Sequence, residues 1–168
     1  MPNLTIKPQS LVVLGIDPGY DHVGWAVAKI IKAKFKILDF NCIQTSKENN
    51  LVTRYRQIDQ GLTKIIKKYK PTQLAIETVL FSVNKKTAMR VAEAKGVVTQ
   101  ICLTHNLEIF EYNPSQIKLA ITGNGRADKK SITKMLELEL KLKIDKQIDD
   151  ALDAIAIAYT HQLINKKS

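Results

Sequence analysis

Two apolar runs separated by a tight turn decide how the N-terminal part of the chain can fold. Residues 10–17 and 22–31 are rich in the apolar and β-branched side chains of buried strands, and the turn "DPGYD" joins them with proline and glycine in its centre. A third strand is predicted at 35–44, after the short turn "KAKF". The chain therefore begins with three consecutive strands, and a sheet is the expected framework of the fold.

The rest of the chain alternates between helical and strand patterns. Apolar residues recur at helical spacing over 47–69, and this helix should end before Pro71, since a residue that precedes proline avoids the helical region. The remaining pattern predicts strands at 72–77 and 107–112 and helices at 84–105, 114–120, 128–141 and 147–164. Three strands followed by alternating helices and strands predict a single α/β domain over residues 1–168, built on a mixed five-stranded sheet with helices on both faces.

Length and composition exclude several classes of protein. The 168 residues suit one domain, and 45% hydrophobic with 25% charged residues is typical of a globular chain. No apolar run of about 18 residues predicts a membrane-spanning helix, and the N-terminal residues lack the apolar stretch of a signal peptide. Two cysteines, Cys42 and Cys102, are too few for a disulfide framework or a cysteine-based zinc site. We therefore expect a cytoplasmic protein that does not bind a membrane.

The charge balance is strongly basic. Lysine and arginine total 26 against 16 aspartate and glutamate residues, which gives a net charge of +10. Such a surface attracts anionic polymers, because each phosphate that a basic side chain neutralises releases counterions. Selection for solubility, or an AT-rich genome that favours lysine codons, would produce the same excess of basic residues. The charge therefore favours a nucleic acid partner without establishing one.

Two of the predicted strands end in a carboxylate. Asp17 follows the first apolar run, and Glu77 ends the strand "QLAIE". Taken singly, an aspartate before Pro-Gly often hydrogen-bonds its own turn, and a glutamate at a strand end is usually solvated. If the two strands are neighbours, however, both carboxylates lie at the edge of the sheet where α/β proteins place their sites.

The last predicted helix carries three further acidic residues. Its main apolar face consists of Ile148, Leu152, Ile155, Tyr159 and Leu163. Asp149, Asp150 and Asp153 lie off that face, where they could simply oppose the helix dipole. One turn further on, the same side continues with Ala154 and Ile157, so we expect protein to cover it. Carboxylates on a covered surface repel one another and need partners, for which metal ions are the best candidates.

The chemistry of these ligands limits the choice of metal and reaction. Carboxylate oxygens without a histidine or cysteine cluster favour Mg²⁺ or Mn²⁺ over zinc. Three or four carboxylates can hold two such ions about 3.5–4 Å apart, where one activates water and the other stabilises the leaving oxygen of a phosphodiester. A basic protein with this cluster fits a metal-dependent nuclease, in which Asp17 would bridge the two metals.

Four stretches, in order, resemble one family of enzymes. They are "LGIDPGYDHVGWAV", "LAIETVLFSVNKKTAMRVAEAKGVV", "FEYNPSQIKLAITGNGRADKKSI" and "DDALDAIAIAYTH". Together they are similar to the RuvC Holliday junction resolvases of bacteria, which belong to the ribonuclease H-like superfamily. The resemblance extends over roughly residues 10–162. It implies a ribonuclease H-like fold and an endonuclease that resolves four-way DNA junctions in recombination and repair.

The resemblance also implies which acidic residues are catalytic. By position, Asp17, Glu77, Asp150 and Asp153 match the family's metal-binding catalytic residues. Asp149 is easily confused with Asp150, but the family's pair is spaced three residues apart, and this favours Asp150 with Asp153. Two Mg²⁺ ions in each active site are implied, with Mn²⁺ as an alternative.

Four other positions are implied to contact DNA. Lys118 and Lys129 match basic residues that lie near the scissile phosphate or the backbone, although a lysine on a helix flank is often only solvated. Just after the catalytic glutamate the family has an aromatic residue that meets bases at the junction centre. This chain has Leu80 at the matching position and Phe81 next to it, so the role is shared between them or moved by one residue.

The family's partners are implied as well. Family members act as homodimers, and a two-fold dimer would present two active sites for two symmetric nicks. The predicted helix at 84–105 is the candidate interface, with Ala88, Val91, Ala92 and Lys95 at helical spacing. Four-way junction DNA and branch-migration proteins of the RuvAB type are the other expected partners.

Three other functions account for parts of the pattern. An actin-like or sugar-kinase-like ATPase also opens with a strand, an aspartate and a glycine turn, but 168 residues leave no room for its second domain. A relative of the YqgF type, directed at RNA or acting elsewhere in nucleic acid processing, is disfavoured by the full acidic helix and the stretch "FEYNPSQIK". A non-catalytic DNA-binding module leaves the clustered carboxylates unexplained, since they would repel DNA.

Overall fold

A computed structural model of the chain describes residues 10–79, 85–143 and 149–165, and it leaves the side chains of 85–87 and 149–150 undescribed. The elements, in chain order, are β1 Leu11–Asp17, β2 His22–Ile31, β3 Lys34–Gln44, α1 Leu51–Tyr69, β4 Gln73–Glu77, α2 Lys85–Thr104, β5 Glu108–Tyr112, α3 Pro114–Thr122, α4 Lys129–Leu140 and α5 Asp149–Ile164. This order confirms the predicted succession of three strands followed by alternating helices and strands. None of the described helices is both long and apolar enough to cross a membrane.

One mixed sheet joins the five strands in the order β3-β2-β1-β4-β5. The first three strands pair antiparallel, as short turns require, whereas β1 with β4 and β4 with β5 pair parallel through helical crossovers. The mixed five-stranded sheet predicted from the sequence is therefore confirmed. Strand β1 occupies its centre.

Helices cover both faces of this sheet. On one face, Leu14 and Ile16 of β1 pack with buried residues of α1 and α2, among them Ile58, Leu62 and Val98. The opposite face carries Val13 and Ala75, which pack with residues of α3, α4 and α5, among them Ile117, Leu136, Leu152 and Ala156. The alternation of side chains along β1 assigns neighbouring residues to the two cores.

The start of α1 differs from the prediction. The helical spacing predicted a helix from residue 47, but the helix begins at Leu51 because Asn50 caps it, accepting a hydrogen bond from the backbone N–H of Thr53 at 2.9 Å. Its end agrees with the prediction. The helix stops at Tyr69, and Lys70 takes the left-handed conformation before Pro71.

Helix α5 is buried on nearly all sides, more completely than its apolar stripe predicted. From residue 151 to residue 162 every side chain except that of Asp153 is buried, including Ala154 and Ile157. The helix lies against β1 at Gly15, where an added Cβ would come within 2.7 Å of the Ala158 Cβ and closer still to the Ala154 carbonyl oxygen. Only glycine permits this approach.

The Gly15 contact leads to a stability prediction. Gly15→Ala should lower the free energy of unfolding by about 1–3 kcal/mol, because it drives a methyl group into the backbone of α5. Gly96→Ala in α2 is the matched control, since nothing lies within 4 Å of a Cβ there, and it should be neutral or stabilising. Urea denaturation measures both. Equal effects of the two substitutions would contradict the close packing at Gly15.

Candidate active site

The parallel pairing of β1 with β4 brings two carboxylates to one edge of the sheet. Ile16 pairs with Ile76. The next residues, Asp17 and Glu77, are the last residues of β1 and β4 and therefore lie side by side. Asp17 lies two residues after Gly15, so its side chain projects from the face that α5 covers. The two strands are therefore neighbours, which is the condition under which the sequence places both carboxylates at one edge of the sheet.

Helix α5 adds a third carboxylate at this edge. Asp153 is the one partly exposed residue in the buried stretch of α5, and 47% of its side chain is accessible. It lines a cleft of about 230 Å³ together with Glu77, Lys118 and Lys129. The remaining wall of the cleft is apolar and consists of Pro114, Ile117, Ile132, Ala156 and Ile157. The sequence analysis did not predict this apolar wall, although its residues share the inward faces of α3, α4 and α5.

Burial and mutual repulsion alter the titration of this cluster. The pKa of Asp17 is raised to about 6, first by burial and then by the negative charge of Asp153, with Lys129 acting in the opposite direction. The pKa of Glu77 is raised to about 7 by burial and by the charges of Asp17 and Asp153, against the influence of Lys118. The negative charge gathered around Asp17 and Glu77 favours the binding of cations at this edge of the sheet.

Two lysines balance part of this negative charge. Lys129 is the first residue of α4, and its Nζ lies 3.4 Å from Oδ2 of Asp153. Lys118 belongs to α3, which begins with a capping box formed by Asn113 and Gln116. Both lysines line the cleft, as expected for groups near a reacting phosphate.

The side chains of three expected site residues are not described. The backbone of Asp150 lies in the first turn of α5, three residues before Asp153, but its side chain is not described, and the same holds for Asp149. The preference for Asp150 over Asp149 therefore stays a prediction. Leu80 and Phe81 lie outside the described residues, between β4 and α2.

The donor set fits a hard divalent cation. Asp17, Glu77 and Asp153 offer only carboxylate oxygens, which suit Mg²⁺ or Mn²⁺. Within the described side chains, no group of three histidine, cysteine, aspartate or glutamate residues is close enough to hold a metal ion by itself. Asp150 stays the predicted fourth ligand; its backbone lies in the first turn of α5.

Comparison with known proteins identifies the family. A family model described as "Crossover junction endodeoxyribonuclease RuvC" matches residues 13–161, a range that includes Asp17, Glu77 and Asp153. The chain belongs to the RuvC family. The resemblance found in the four sequence stretches is thereby confirmed.

Two curated RuvC proteins show how much of the chain this relationship covers. The RuvC of Petrotoga mobilis is 44% identical over 151 residues, which span 90% of this chain and 93% of that protein. The RuvC of Pseudothermotoga lettingae is 36% identical over 151 residues, with the same coverage. Both are named crossover junction endodeoxyribonucleases. As a member of this family, the chain is an endodeoxyribonuclease.

Solved structures give the same result for the fold. The RuvC of T. thermophilus in complex with a Holliday junction substrate superposes with a TM-score of 0.84 at 29% identity, over 92% of this chain and 94% of that one. The fowlpox virus resolvase, also solved with Holliday junction DNA, matches with a TM-score of 0.54 at 10% identity over 94% of this chain and 100% of its own, and it shares the fold alone. The predicted ribonuclease H-like fold is confirmed.

The raised pKa values of the RuvC cluster predict how stability depends on pH without metal. A carboxyl whose pKa is higher in the folded state than in the unfolded chain destabilises the fold progressively as pH rises through the folded value. Glu77→Gln removes one charge at pH 8, where Glu77 is ionised, and should raise Tm by about 3–6 °C. At pH 4 Glu77 is protonated, so the substitution should change Tm little.

Differential scanning calorimetry in EDTA measures both conditions. Glu48→Gln is the matched control, because Glu48 is exposed and lies outside the cleft. A Tm difference between Glu77→Gln and wild type that is the same at pH 4 and pH 8 would contradict the raised pKa.

Proposed function

We propose that this protein is a structure-specific endonuclease that resolves four-way DNA junctions by paired symmetric nicks in recombination and repair. The observation that carries the proposal is the cluster of Asp17 with Glu77 and Asp153, the last two of which line a cleft together with two lysines, within a member of the RuvC family. A RuvC solved in complex with a Holliday junction substrate shares the fold over most of both chains. The net charge of +10 suits a DNA substrate.

The acidic residues have one role in this proposal. Asp17, Glu77, Asp150 and Asp153 would hold two divalent ions, Mg²⁺ or Mn²⁺. Such ions, when bound, activate water and stabilise the leaving oxygen of a phosphodiester. Burial of Asp17 and Glu77 supports this role, because poorly solvated carboxylates bind a cation more strongly than exposed ones do.

The lysines would orient the phosphate. Lys118 of α3 and Lys129 of α4 line the same cleft as Glu77, and their charges act on Glu77 and Asp17 respectively. The ion pair of Lys129 with Asp153 holds the ammonium group beside the carboxylates, where it can stabilise charge on the scissile phosphate. The apolar wall of α3, α4 and α5 limits water on the remaining side.

A base-contacting residue would follow the catalytic glutamate. Leu80 and Phe81 come three and four residues after Glu77. In an extended segment successive side chains point to opposite sides, so one of the two faces the junction. We assign this role to Phe81, because an aromatic ring stacks on bases more strongly than a leucine side chain does.

Two copies of the chain would act together in the cytoplasm, with branch-migration proteins of the RuvAB type as partners. A two-fold dimer supplies the two active sites that paired nicks require. The exposed apolar residues Met89 and Leu103 of α2, 60% and 51% accessible, support this helix as the interface. Ala88, which the helical spacing placed on that interface, is buried within the chain.

A synthetic four-way junction tests the activity. In Mg²⁺ the wild-type protein should nick it at two symmetric positions, and it should cut linear duplex far more slowly. Asp17→Asn keeps the shape of the side chain but loses its charge, so nicking should fall by at least about 100-fold, while the fold and junction binding without metal are retained. Nicking within tenfold of the wild-type rate would remove Asp17 from the metal site.

The register of the acidic pair on α5 needs its own test. Asp150→Asn should reduce nicking about as much as Asp17→Asn does, whereas Asp149→Asn should stay within a few-fold of wild type. The two neighbours serve as matched controls for each other, because both begin the same helix and lose the same charge. The reverse order of the two rates would shift the assignment to Asp149. A denaturing gel of the end-labelled junction gives the rates.

A further inference from the structure

A buried arginine outside the cleft holds the turn that follows Asp17. Arg54 lies in the first turn of α1, and only 7% of its side chain is accessible. Its Nε donates to Oγ1 of Thr45 at 2.8 Å, and its Nη2 donates to the carbonyl oxygen of Tyr20 at 2.9 Å and to the carboxylate of Asp21. We call Arg54, Thr45, Tyr20 and Asp21 the turn clamp.

Thr45 of the turn clamp also binds the turn directly. The hydroxyl of Thr45 donates to the carbonyl oxygen of Tyr20 at 2.6 Å, and the backbone N–H of Thr45 donates to the carbonyl oxygen of Asp21 at 3.0 Å. The guanidinium carbon of Arg54 lies 4.8 Å from the centre of the Tyr20 ring, within the range of a cation–π contact. Helix α1 and the residue that follows β3 therefore both bind the turn at the carbonyl group of Tyr20.

The position of Asp17 gives the turn clamp its importance. Asp17 is the last residue of β1, and its pairing with Gly24 is the last register pair before the turn. Beyond that pair, residues 18–21 have no strand partner in the register of β1 with β2. Whatever fixes Tyr20 and Asp21 therefore limits how far the end of β1, and the carboxylate on it, can move.

Stability alone does not account for a buried arginine at this place. Removing a guanidinium from water is unfavourable, and replacing a buried ion pair with apolar side chains is often neutral or stabilising. The side chain of Arg54 has three hydrogen-bond partners: Tyr20 and Asp21 in the turn, and Thr45, which itself donates hydrogen bonds to the turn. Such a residue is suited to fixing geometry, as the outer partners of metal ligands do.

We propose that Arg54 is a positioning residue, which fixes the β1–β2 turn and through it the carboxylate of Asp17. The inference rests on the proposed function, since it takes Asp17 as a metal ligand. Arg54 also engages the carboxylate of Asp21, which Lys47 approaches at 4.0 Å.

Mn²⁺ binding to the whole protein tests the inference without relying on nicking. In isothermal titration calorimetry Arg54→Gln should bind Mn²⁺ about tenfold more weakly than wild type, which is the low end of the loss seen when a direct hydrogen-bond partner of a metal ligand is removed, because Arg54 acts on Asp17 only through the turn. Arg56→Gln is the matched control, since Arg56 is exposed two residues further along α1, and its affinity should stay within twofold. The Mn²⁺ concentration for half-maximal junction nicking should rise by the same factor.

Two more substitutions separate positioning from simple destabilisation. Arg54→Lys keeps the charge but cannot reach Thr45 and Tyr20 together, so it should recover Mn²⁺ affinity only in part. Thr45→Val keeps the branched shape and removes the hydroxyl, so it should weaken Mn²⁺ binding by about threefold. If Arg54→Gln does not fold, Thr45→Val decides the question. A lower Tm with Mn²⁺ affinity within twofold of wild type would make the turn clamp merely structural and overturn the inference.

The same measurements keep the two proposals apart. A wild-type protein that binds Mn²⁺ but does not nick a junction contradicts the proposed function, while the comparison of Mn²⁺ affinities still judges Arg54. Junction nicking by wild type, with unchanged Mn²⁺ affinity in Arg54→Gln and Thr45→Val, contradicts only the positioning role. A wild-type protein that takes up no Mn²⁺, with or without junction DNA, overturns both.

Discussion

The close approach of α5 to β1 is the contact on which the site depends. Gly15 has no side chain, and this lets the backbone of α5 lie against the central strand, so that Asp153 comes near Asp17 and Glu77. A larger residue would lift the helix, and the third carboxylate would leave the other two. Two strands can align their own ends through hydrogen bonds, but a helix reaches a fixed distance from a sheet only through packing.

The site holds like charges together at the expense of stability. Burial and repulsion raise the pKa values of Asp17 and Glu77 to about 6 and about 7, so near neutral pH the folded chain carries charges that it would hold more easily when unfolded. The buried core on both faces of the sheet offsets this strain. Lys129 relieves part of it by pairing with Asp153. Such opposition between function and stability is common where a binding site is built before its ligand arrives.

Sequence patterns predicted much of this molecule because its strongest signals are local. The strand runs, the turn after Asp17 and the end of α1 before Pro71 each depend on a few neighbouring residues, and all of them appear in the fold. The turn clamp escaped prediction, because Arg54 meets Tyr20 across 34 positions and its local pattern is that of an ordinary helical arginine. Cover over the side of α5 that carries Ile157 was expected from the sequence, but the elements that provide it were not, because α3 and α4 come from elsewhere in the chain.

The order of the elements along the chain determines when, during synthesis, the protein becomes able to cut DNA. The strands that carry Asp17 and Glu77 are separated by β2, β3 and α1, and Asp153 follows only after four further elements. A ribosome releases these residues in that order, and distant contacts form later than local ones. A growing chain therefore lacks the third carboxylate until α5 has emerged and docked. Its basic surface can meet nucleic acid during synthesis, before the groups that would break a phosphodiester have been assembled.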